Sequence, residues 1–309
     1  MGVGDVRAVP GCTDLHYVDT GMFGTAEYGS VYVLTDPVPA VVDTGTGADR
    51  ERIDDALAAL GIERAALEAI LLTHVHLDHA GGAGYLADAC PNATVYVHEA
   101  GEPHLVDPDR LIEGTKRAVG DAWRHYAEPR PVPADRVASL SDGDEVALGD
   151  RTLVAHRMPG HAPHQVAFHD RRDDALFAGD AAGIWLPSLD RVRETSPPPQ
   201  FDLEACLADV ERLCALDPAH LLYAHFGPGP DDVTGALTGF ADALTDWVAA
   251  VAAADATLDG NRADRVETLV ERLAPAGDVV DVWGAEKARA ETAINVRGVL
   301  TYLDRAEGA

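Results

Sequence analysis

The sequence LLTHVHLDHAGGAGYL, residues 71–86, places three histidines and one aspartate within six consecutive positions. It begins inside the apolar run EAILLT (68–73), which predicts a buried strand that ends where the histidines start. A loop at the end of a strand can carry functional side chains on a rigid base. Imidazole and carboxylate groups together suit zinc or another borderline divalent cation. The stretch therefore predicts a metal site rather than a polar surface loop.

The spacing within this stretch divides its polar side chains into two groups. His74 and His76 are two residues apart, so on an extended backbone they lie on the same side and can bind one ion. Asp78 and His79 follow the turn and can bind a second ion beside the first. We expect the glycine pair at 81–82 to leave room for the ions where the next helix begins.

Outside this stretch, the chain alternates between short β-branched runs and helical periodicity. GSVYVLTD (29–36) is typical of a strand, and ADRERIDDALAALG (48–61) is typical of an amphipathic helix with a glycine stop. Two such sets of strands followed by a helix predict an α/β fold, with two sheets packed face to face and helices outside. We assign residues 1–230 to a catalytic domain, with a polar insertion at 99–133 near the site. A helical C-terminal extension occupies residues 231–309.

Three further polar residues stand at the exits of apolar strands. His161 follows the strand RTLVAHRM, Asp180 ends ALFAGD, and His225 ends HLLYAHFG. Strands of one sheet can bring such residues to a common edge. We therefore expect these side chains to converge on the histidine cluster.

The motifs THVHLDH, PGHAPH, FAGD and YAHFG, in that order, resemble those of the metallo-beta-lactamase-fold hydrolases, and the similarity covers roughly residues 14–228. The resemblance implies a four-layer αββα sandwich with a binuclear metal site at one edge of the two sheets. It also implies that His74, His76 and His161 hold the first metal, that Asp78, His79 and His225 hold the second, and that Asp180 bridges both. This set is closest to that of the glyoxalase II and lactonase type.

The resemblance implies an enzyme that hydrolyses small ester-type substrates, with thioesters or lactones favoured. Two zinc ions, or other divalent metals such as iron or manganese, would share a hydroxide that attacks the substrate. Asp78 or Asp180 would orient this nucleophile and receive its proton. Two alternatives remain: a glyoxalase II-like persulfide dioxygenase with a single iron, and a phosphodiesterase.

Candidate substrate contacts come from residues close to these motifs. His164 lies three residues after His161, Tyr223 lies on the strand before His225, and Arg193 could bind a substrate carboxylate. Three other arginines have the same potential role: Arg130, Arg157 and Arg191. We expect Asp43, in the motif VVDTG, to be a buried hydrogen-bond acceptor that supports a ligand.

The charge balance of the chain is strongly acidic. It contains 52 acidic residues against 24 basic ones, only two of them lysines, which gives a net charge of −28. A field of this sign repels nucleic acid and anionic membranes, so we expect neither as a partner. Abundant aspartate with almost no lysine is typical of halophilic proteins. In these proteins, dissolved salt screens the repulsion between like charges.

The remaining features indicate the cellular setting. The sequence shows no basic-then-apolar leader and no apolar run long enough for a membrane span, so we expect a cytoplasmic protein with a small-molecule substrate. The four cysteines form no CxxC pair and are expected to be free thiols. The C-terminal helix is compatible with packing over the pocket or with a homodimer contact.

Overall fold

The computed structural model describes residues 1–308, which form fifteen strands and ten α-helices. The strands are β1 (Val6–Ala8), β2 (Leu15–Asp19), β3 (Ser30–Leu34), β4 (Ala40–Val42), β5 (Ala69–Leu71), β6 (Thr94–His98), β7 (Val137–Leu140), β8 (Glu145–Leu148), β9 (Arg151–Arg157), β10 (Val166–Asp170), β11 (Ala175–Gly179), β12 (Ile184–Leu186), β13 (Arg191–Arg193), β14 (His220–Tyr223) and β15 (Gly227–Pro228). The helices are α1 (Arg50–Ala59), α2 (Leu77–Ala80), α3 (Ala83–Ala89), α4 (Glu102–Val106), α5 (Asp109–Val119), α6 (Leu203–Leu216), α7 (Val233–Asp255), α8 (Arg262–Leu273), α9 (Asp278–Trp283) and α10 (Ala285–Glu307).

The strands form two large sheets and one small ribbon. The first sheet has the order β1-β2-β3-β4-β5-β6-β7 and is antiparallel up to β4 and parallel from β4 to β7. The second has the order β15-β14-β11-β10-β9-β8, in which only the β11–β14 pair is parallel. Strands β12 and β13 pair as a separate antiparallel ribbon.

Three apolar clusters show that the sheets and helices form layers. Between the two sheets, residues such as Leu71 from the first sheet meet Phe168 and Phe177 from the second. Ile53 and Leu57 of α1 are four residues apart and pack on the outer side of the first sheet. Helices α6, α7, α8 and α10 cover the outer side of the second sheet. The predicted αββα sandwich is therefore confirmed.

The C-terminal helices share their apolar core with the second sheet. Phe240 and Leu244 of α7 belong to the same cluster as Leu221 of β14 and Val299 of α10. Helix α7 has 23 residues and is long and apolar enough to cross a membrane, which the expectation of no such segment overlooked. A buried core helix passes the same test of length and composition. The predicted division near residue 230 stays a prediction.

Most predicted strands and helices are present, with differences at two places. The predicted strand 220–227 ends at Tyr223, so His225 lies in the turn before β15 rather than on a strand. The ribbon of β12 and β13 was not predicted. Arg191 of this ribbon contacts Asp278 of α9 at 3.0 Å.

Candidate metal centre

Seven polar side chains meet at one edge of the two sheets. Each follows the end of a strand: His74 and His76 come after β5, Asp78 and His79 lie on the short helix α2, His161 lies in the β9–β10 loop, Asp180 follows β11, and His225 follows β14. Within residues 1–308, the groups able to hold a metal are drawn only from these seven. The structure thus brings together every predicted ligand.

The first group consists of His74, His76 and His161. One possible ligand atom from each lies within 4.8 Å of those of the other two. His161 Nε2 lies 3.0 Å from His76 Nδ1. Two ring nitrogens at this distance can share a proton. They can also both bind one cation. Three imidazoles are a common ligand set for zinc.

The second group consists of Asp78, His79 and His225. Its ligand atoms also lie within 4.8 Å of one another. His79 Nε2 is 3.2 Å from His225 Nε2, and Asp78 Oδ2 is 3.7 Å from His225 Nε2. Two imidazoles and one carboxylate again suit zinc and similar divalent ions.

Asp180 lies between the two groups, and each of its carboxylate oxygens faces a different one. Oδ1 is 3.3 Å from His79 Nε2 and 3.6 Å from His225 Nε2. Oδ2 is 3.3 Å from His161 Nε2. A carboxylate in this position has the geometry needed to bridge two ions.

The ligand atoms have hydrogen-bonding capacity that the protein does not satisfy. His74 Nε2 and Asp180 Oδ1 are buried and have no hydrogen-bond partner among the described residues. Buried polar atoms without partners are rare because each costs free energy. Their concentration in one cluster fits bound cations, so the residues present are compatible with a divalent metal site.

Neighbouring groups fix which ring nitrogen of three of the histidines faces the cluster. His79 Nδ1 lies 3.0 Å from Asp43 Oδ2, which leaves Nε2 for the site. His225 Nδ1 lies 3.0 Å from the carbonyl oxygen of Tyr28 and therefore donates to it. His74 Nδ1 lies 3.1 Å from Thr73 Oγ1. Such partners orient metal-binding imidazoles in many proteins, and Asp43 has the role predicted for it.

The electrostatics differ between the two groups: the first group favours neutral imidazoles, and the second favours a positive charge. Burial lowers the pKa of His76 to about 3 and that of His161 to about 4. Burial also lowers the pKa of His79, but the charges of Asp180 and Asp78 outweigh it, so this pKa is raised. The carboxylates therefore attract a cation to the second group, and neutral imidazoles are the form that binds metal.

The glycines at 81 and 82 have a different role from the one predicted. A Cβ atom on Gly81 would lie 2.3 Å from the Leu77 carbonyl oxygen and 2.7 Å from that of Thr46. One on Gly82 would lie 2.5 Å from the Thr44 carbonyl oxygen. The glycines therefore make room for the backbone of the loop after β4, not for ions.

Five of the seven side chains line a cavity of about 1170 Å³: His76, Asp78, His161, Asp180 and His225. Its walls include Phe23 and Tyr28 from the segment before β3, and Tyr126 from the predicted insertion 99–133. Helix α5, which lies in this insertion, and helix α10 form other parts of its wall. The insertion and the C-terminal helices therefore shape the space that a substrate would enter.

The predicted substrate contacts differ in their relation to this cavity. His164 lines it, and its Nδ1 accepts a hydrogen bond of 3.4 Å from the Val75 N–H. Tyr223 does not line it: its ring is fully buried and lies 6.0 Å from that of Trp185. Arg193 is not a lining residue either and pairs with the adjacent Glu194. The other three arginines, Arg130, Arg157 and Arg191, also lie outside the described lining.

Sequence reasoning missed a group of side chains beside His225. The Tyr28 ring lies 4.9 Å from the His225 ring at an angle of 48°, and its hydroxyl donates a hydrogen bond of 2.9 Å to Glu291. Lys287 forms an ion pair with Glu291 and lies 3.7 Å from the Tyr28 ring centre. The one feature of the sequence that could have indicated this group is the rarity of lysine, because Lys287 is one of only two lysines in the chain.

The sequence profile of the Metallo-beta-lactamase superfamily matches residues 24–225, which is more than half of the chain and reaches from the segment before β3 to the last ligand. The chain belongs to this superfamily. The predicted family is confirmed, and so is the prediction of an enzyme of the metallo-hydrolase class.

Three curated relatives illustrate the range of similarity. A metallo-beta-lactamase fold-containing protein of Sulfurisphaera tokodaii, ST1585, is 28% identical over 70% of this chain and 79% of its own. An acyl-coenzyme A thioesterase, MBLAC2 of Gallus gallus, is 34% identical over 48% of this chain and 56% of its own. A hydroxyacylglutathione hydrolase of Aeromonas salmonicida is 30% identical over 59% of this chain and 54% of its own. The chain therefore matches only about half the length of the last two.

The solved structure of ST1585 shows that the similarity in fold extends beyond the profile. It covers 94% of this chain and 99% of its own, with a TM-score of 0.66 and 22% sequence identity. At this identity, the comparison supports the fold alone.

Proposed function

We propose that this protein is a hydrolase with two zinc ions that cleaves small ester-type substrates, with thioesters first and lactones second. The observation that carries the proposal is the position of Asp180. Its two oxygens face two separate ligand groups, each with three possible ligands. A binuclear centre needs this arrangement, whereas a single ion would leave part of the set without a function.

Two bound divalent ions would supply an activated water nucleophile and would polarise the carbonyl group of the substrate. The side chains of the chain complete the chemistry. Asp78 lines the cavity and its side chain is 24% exposed, against 5% for Asp180. Asp78 is therefore the carboxylate better placed to take up a proton released at the site and to return it to water.

The preference for thioesters rests on two relatives and on the cavity. The relative named as an acyl-coenzyme A thioesterase is 34% identical over 48% of this chain, and the one named as a hydroxyacylglutathione hydrolase is 30% identical over 59% of it. A cavity of about 1170 Å³ has room for an acyl group together with a thiol carrier. The aromatic rings of Phe23 and Tyr28 provide an apolar wall for the acyl group.

Metal analysis and a substrate panel test this proposal. We expect two zinc ions per chain and hydrolysis of a neutral thioester such as S-butanoyl-N-acetylcysteamine. The panel should also contain a lactone, a phosphodiester and a beta-lactam. One iron per chain with uptake of oxygen would overturn the proposal and favour the persulfide dioxygenase. Cleavage of the phosphodiester alone would favour the phosphodiesterase.

Two site variants with one matched control sharpen the test. Asp180→Asn removes the bridging charge with little change in shape, and His76→Ala removes a ligand of the first group. Loss of a group that stabilises the transition state costs about 100-fold or more in rate, so we expect at least this decrease for both. Asp190→Asn, on an exposed turn, should keep full activity. Full activity in both site variants would contradict the assignment of the site.

A further inference from the structure

The cavity wall is rich in cations for a protein of this charge. Six of the 24 basic residues line it, although acidic residues outnumber basic ones more than two to one in the whole chain. These six are Arg110, Arg117, Arg124, Lys287, Arg289 and Arg297. An ordinary acidic surface would give each of them a carboxylate partner.

Four of the six do have such a partner. The pairs are Lys287 with Glu291, Arg124 with Glu286, Arg117 with Glu113 and Arg289 with Glu271. Arg110 and Arg297 form no ion pair with a described side chain. Arg110 is exposed on α5, where water solvates its charge, so Arg297 is the one that requires an explanation.

Arg297 is a half-buried cation whose side chain, among the described residues, bonds only a backbone group. It lies on α10, and its Nη1 donates a hydrogen bond of 3.3 Å to the carbonyl oxygen of Ala118, near the end of α5. Burial lowers the pKa of Arg297. A charge removed from water without a counter-charge costs free energy. An anionic ligand in the cavity would remove this cost.

The face of α10 that lines the cavity sets the shape of such a ligand. Glu291 lies at the end near the candidate metal ligands, because it accepts a hydrogen bond from Tyr28, whose ring contacts that of His225. The lining face of α10 also carries the small or apolar side chains of Ala290, Ala293 and Ile294. Arg297 lies six residues after Glu291, which is about 9 Å along a helix.

We propose that Arg297 is the anchor for an anionic group of the substrate, a carboxylate or phosphate carried at the end of an apolar arm. The arm lies along Ala290 and Ile294, and the ester lies at the metal ligands. The anion belongs either to the leaving carrier or to the far end of the acyl chain. This inference rests on the proposed function for the position of the ester, but the anion site itself is independent of catalysis.

Three thioesters distinguish an anion on the leaving carrier from an anion on the acyl chain. S-butanoyl-coenzyme A carries phosphates on the carrier, S-adipoyl-N-acetylcysteamine carries a carboxylate on the acyl chain, and S-butanoyl-N-acetylcysteamine is neutral. We expect Arg297→Met to lower kcat/KM for one of the anionic thioesters about 10-fold to 100-fold, mainly through KM, because a charge-assisted contact is lost. The neutral thioester should change less than twofold, which also shows that the variant is folded.

Binding measurements give a readout that does not depend on turnover. We expect calorimetry with coenzyme A and with adipate to show that one of these anions binds more weakly to Arg297→Met than to the wild type. Arg297→Lys should recover part of the lost affinity. Arg130→Gln is the matched control, since Arg130 is exposed outside this cavity and stacks on Tyr85. It should behave as the wild type.

Several outcomes would overturn the inference. Equal loss on the neutral and anionic thioesters would make Arg297 a structural residue, and no loss on either anionic thioester would leave it without the proposed role. If no thioester is cleaved, the proposed function is wrong. The calorimetric comparison then still decides the anion site, since unchanged binding in Arg297→Met rejects it.

Discussion

Asp43 Oδ2 lies 3.0 Å from His79 Nδ1, and the Asp43 carboxylate also accepts hydrogen bonds from Thr73 N and Oγ1 at 2.9 Å to 3.0 Å. Thr73 Oγ1 in turn contacts His74 Nδ1. One buried carboxylate therefore orients a histidine of each ligand group. Asp43 occupies the left-handed region, with φ of 60°, which aspartate and asparagine adopt more readily than most residues.

Asp43→Asn should weaken metal binding while it preserves this backbone conformation. The asparagine amide has one oxygen that accepts hydrogen bonds, whereas the carboxylate has two. One of the contacts that orient the histidines, to Thr73 or to His79, is therefore lost. Loss of such supporting partners costs about 10-fold to 100-fold in metal affinity, and we expect a decrease of this size in a zinc titration against a competing chelator. Asp190→Asn serves as control. Unchanged affinity in Asp43→Asn would show that packing alone orients the imidazoles.

The seven side chains of the candidate metal centre could be predicted to lie together because each stands where an apolar strand ends. Strand exits are visible in a single sequence, and motifs such as THVHLDH and FAGD mark them directly. Tyr223 shows the limit of this reasoning. Adjacent residues of a strand point to opposite faces, and the sequence of β14 does not reveal which face looks toward the cavity.

Residues of α10 could not be assigned to the site from sequence, because their position depends on contacts far along the chain. Asn295 accepts a hydrogen bond of 2.6 Å from Ser196 N, and Arg297 contacts Ala118. These contacts place the helix against the loop after β13 and against α5. Helical periodicity indicates which residues share a face, but not what that face meets.

Arg151→Met should destabilise the protein without changing its metal content. Arg151 is fully buried at the opposite end of β9 from the His161 loop, and it pairs with Asp36 at 2.8 Å, Asp173 at 2.9 Å and Asp170. Removal of one partner from a buried ion pair costs about 3–5 kcal/mol, because charge is left uncompensated. Urea denaturation measures this loss.

The matched control for this variant is Arg171→Met, whose ion pair with Glu145 is exposed. Exposed pairs contribute about 0–1 kcal/mol, so its unfolding free energy should stay near that of the wild type. An equal loss in the two variants would contradict a special role for the buried cluster.

Potassium chloride should stabilise the protein up to molar concentrations. The net charge of −28 creates repulsion within the folded chain, and the Debye length falls from about 10 Å at 0.1 M salt to about 3 Å at 1 M. We expect the Tm to rise steadily over this range. Sucrose at equal osmolality is the control for solvent exclusion. A Tm that is flat or falls with salt would reject the prediction of salt adaptation.

Asp209 should make stability depend on pH near neutrality. It is buried on α6 and accepts a hydrogen bond of 2.7 Å from Gly160 N, beside His161. Burial raises its pKa from 3.8 to about 6, against the effect of this hydrogen bond. The folded protein therefore holds this proton to a higher pH than the unfolded chain. The stabilising contribution of protonated Asp209 is full below pH 4 and is lost as the pH rises to 6.

Asp209→Asn keeps an acceptor for Gly160 and removes the charge. By the relation of about 1.4 kcal/mol per unit of pKa shift, the variant should gain up to about 3 kcal/mol over the wild type at pH 7.5. At pH 4.5 the gain should be much smaller. Urea denaturation at the two pH values measures this difference, with Asp190→Asn as control, and a gain that is the same at both would mean that Asp209 does not titrate in this range.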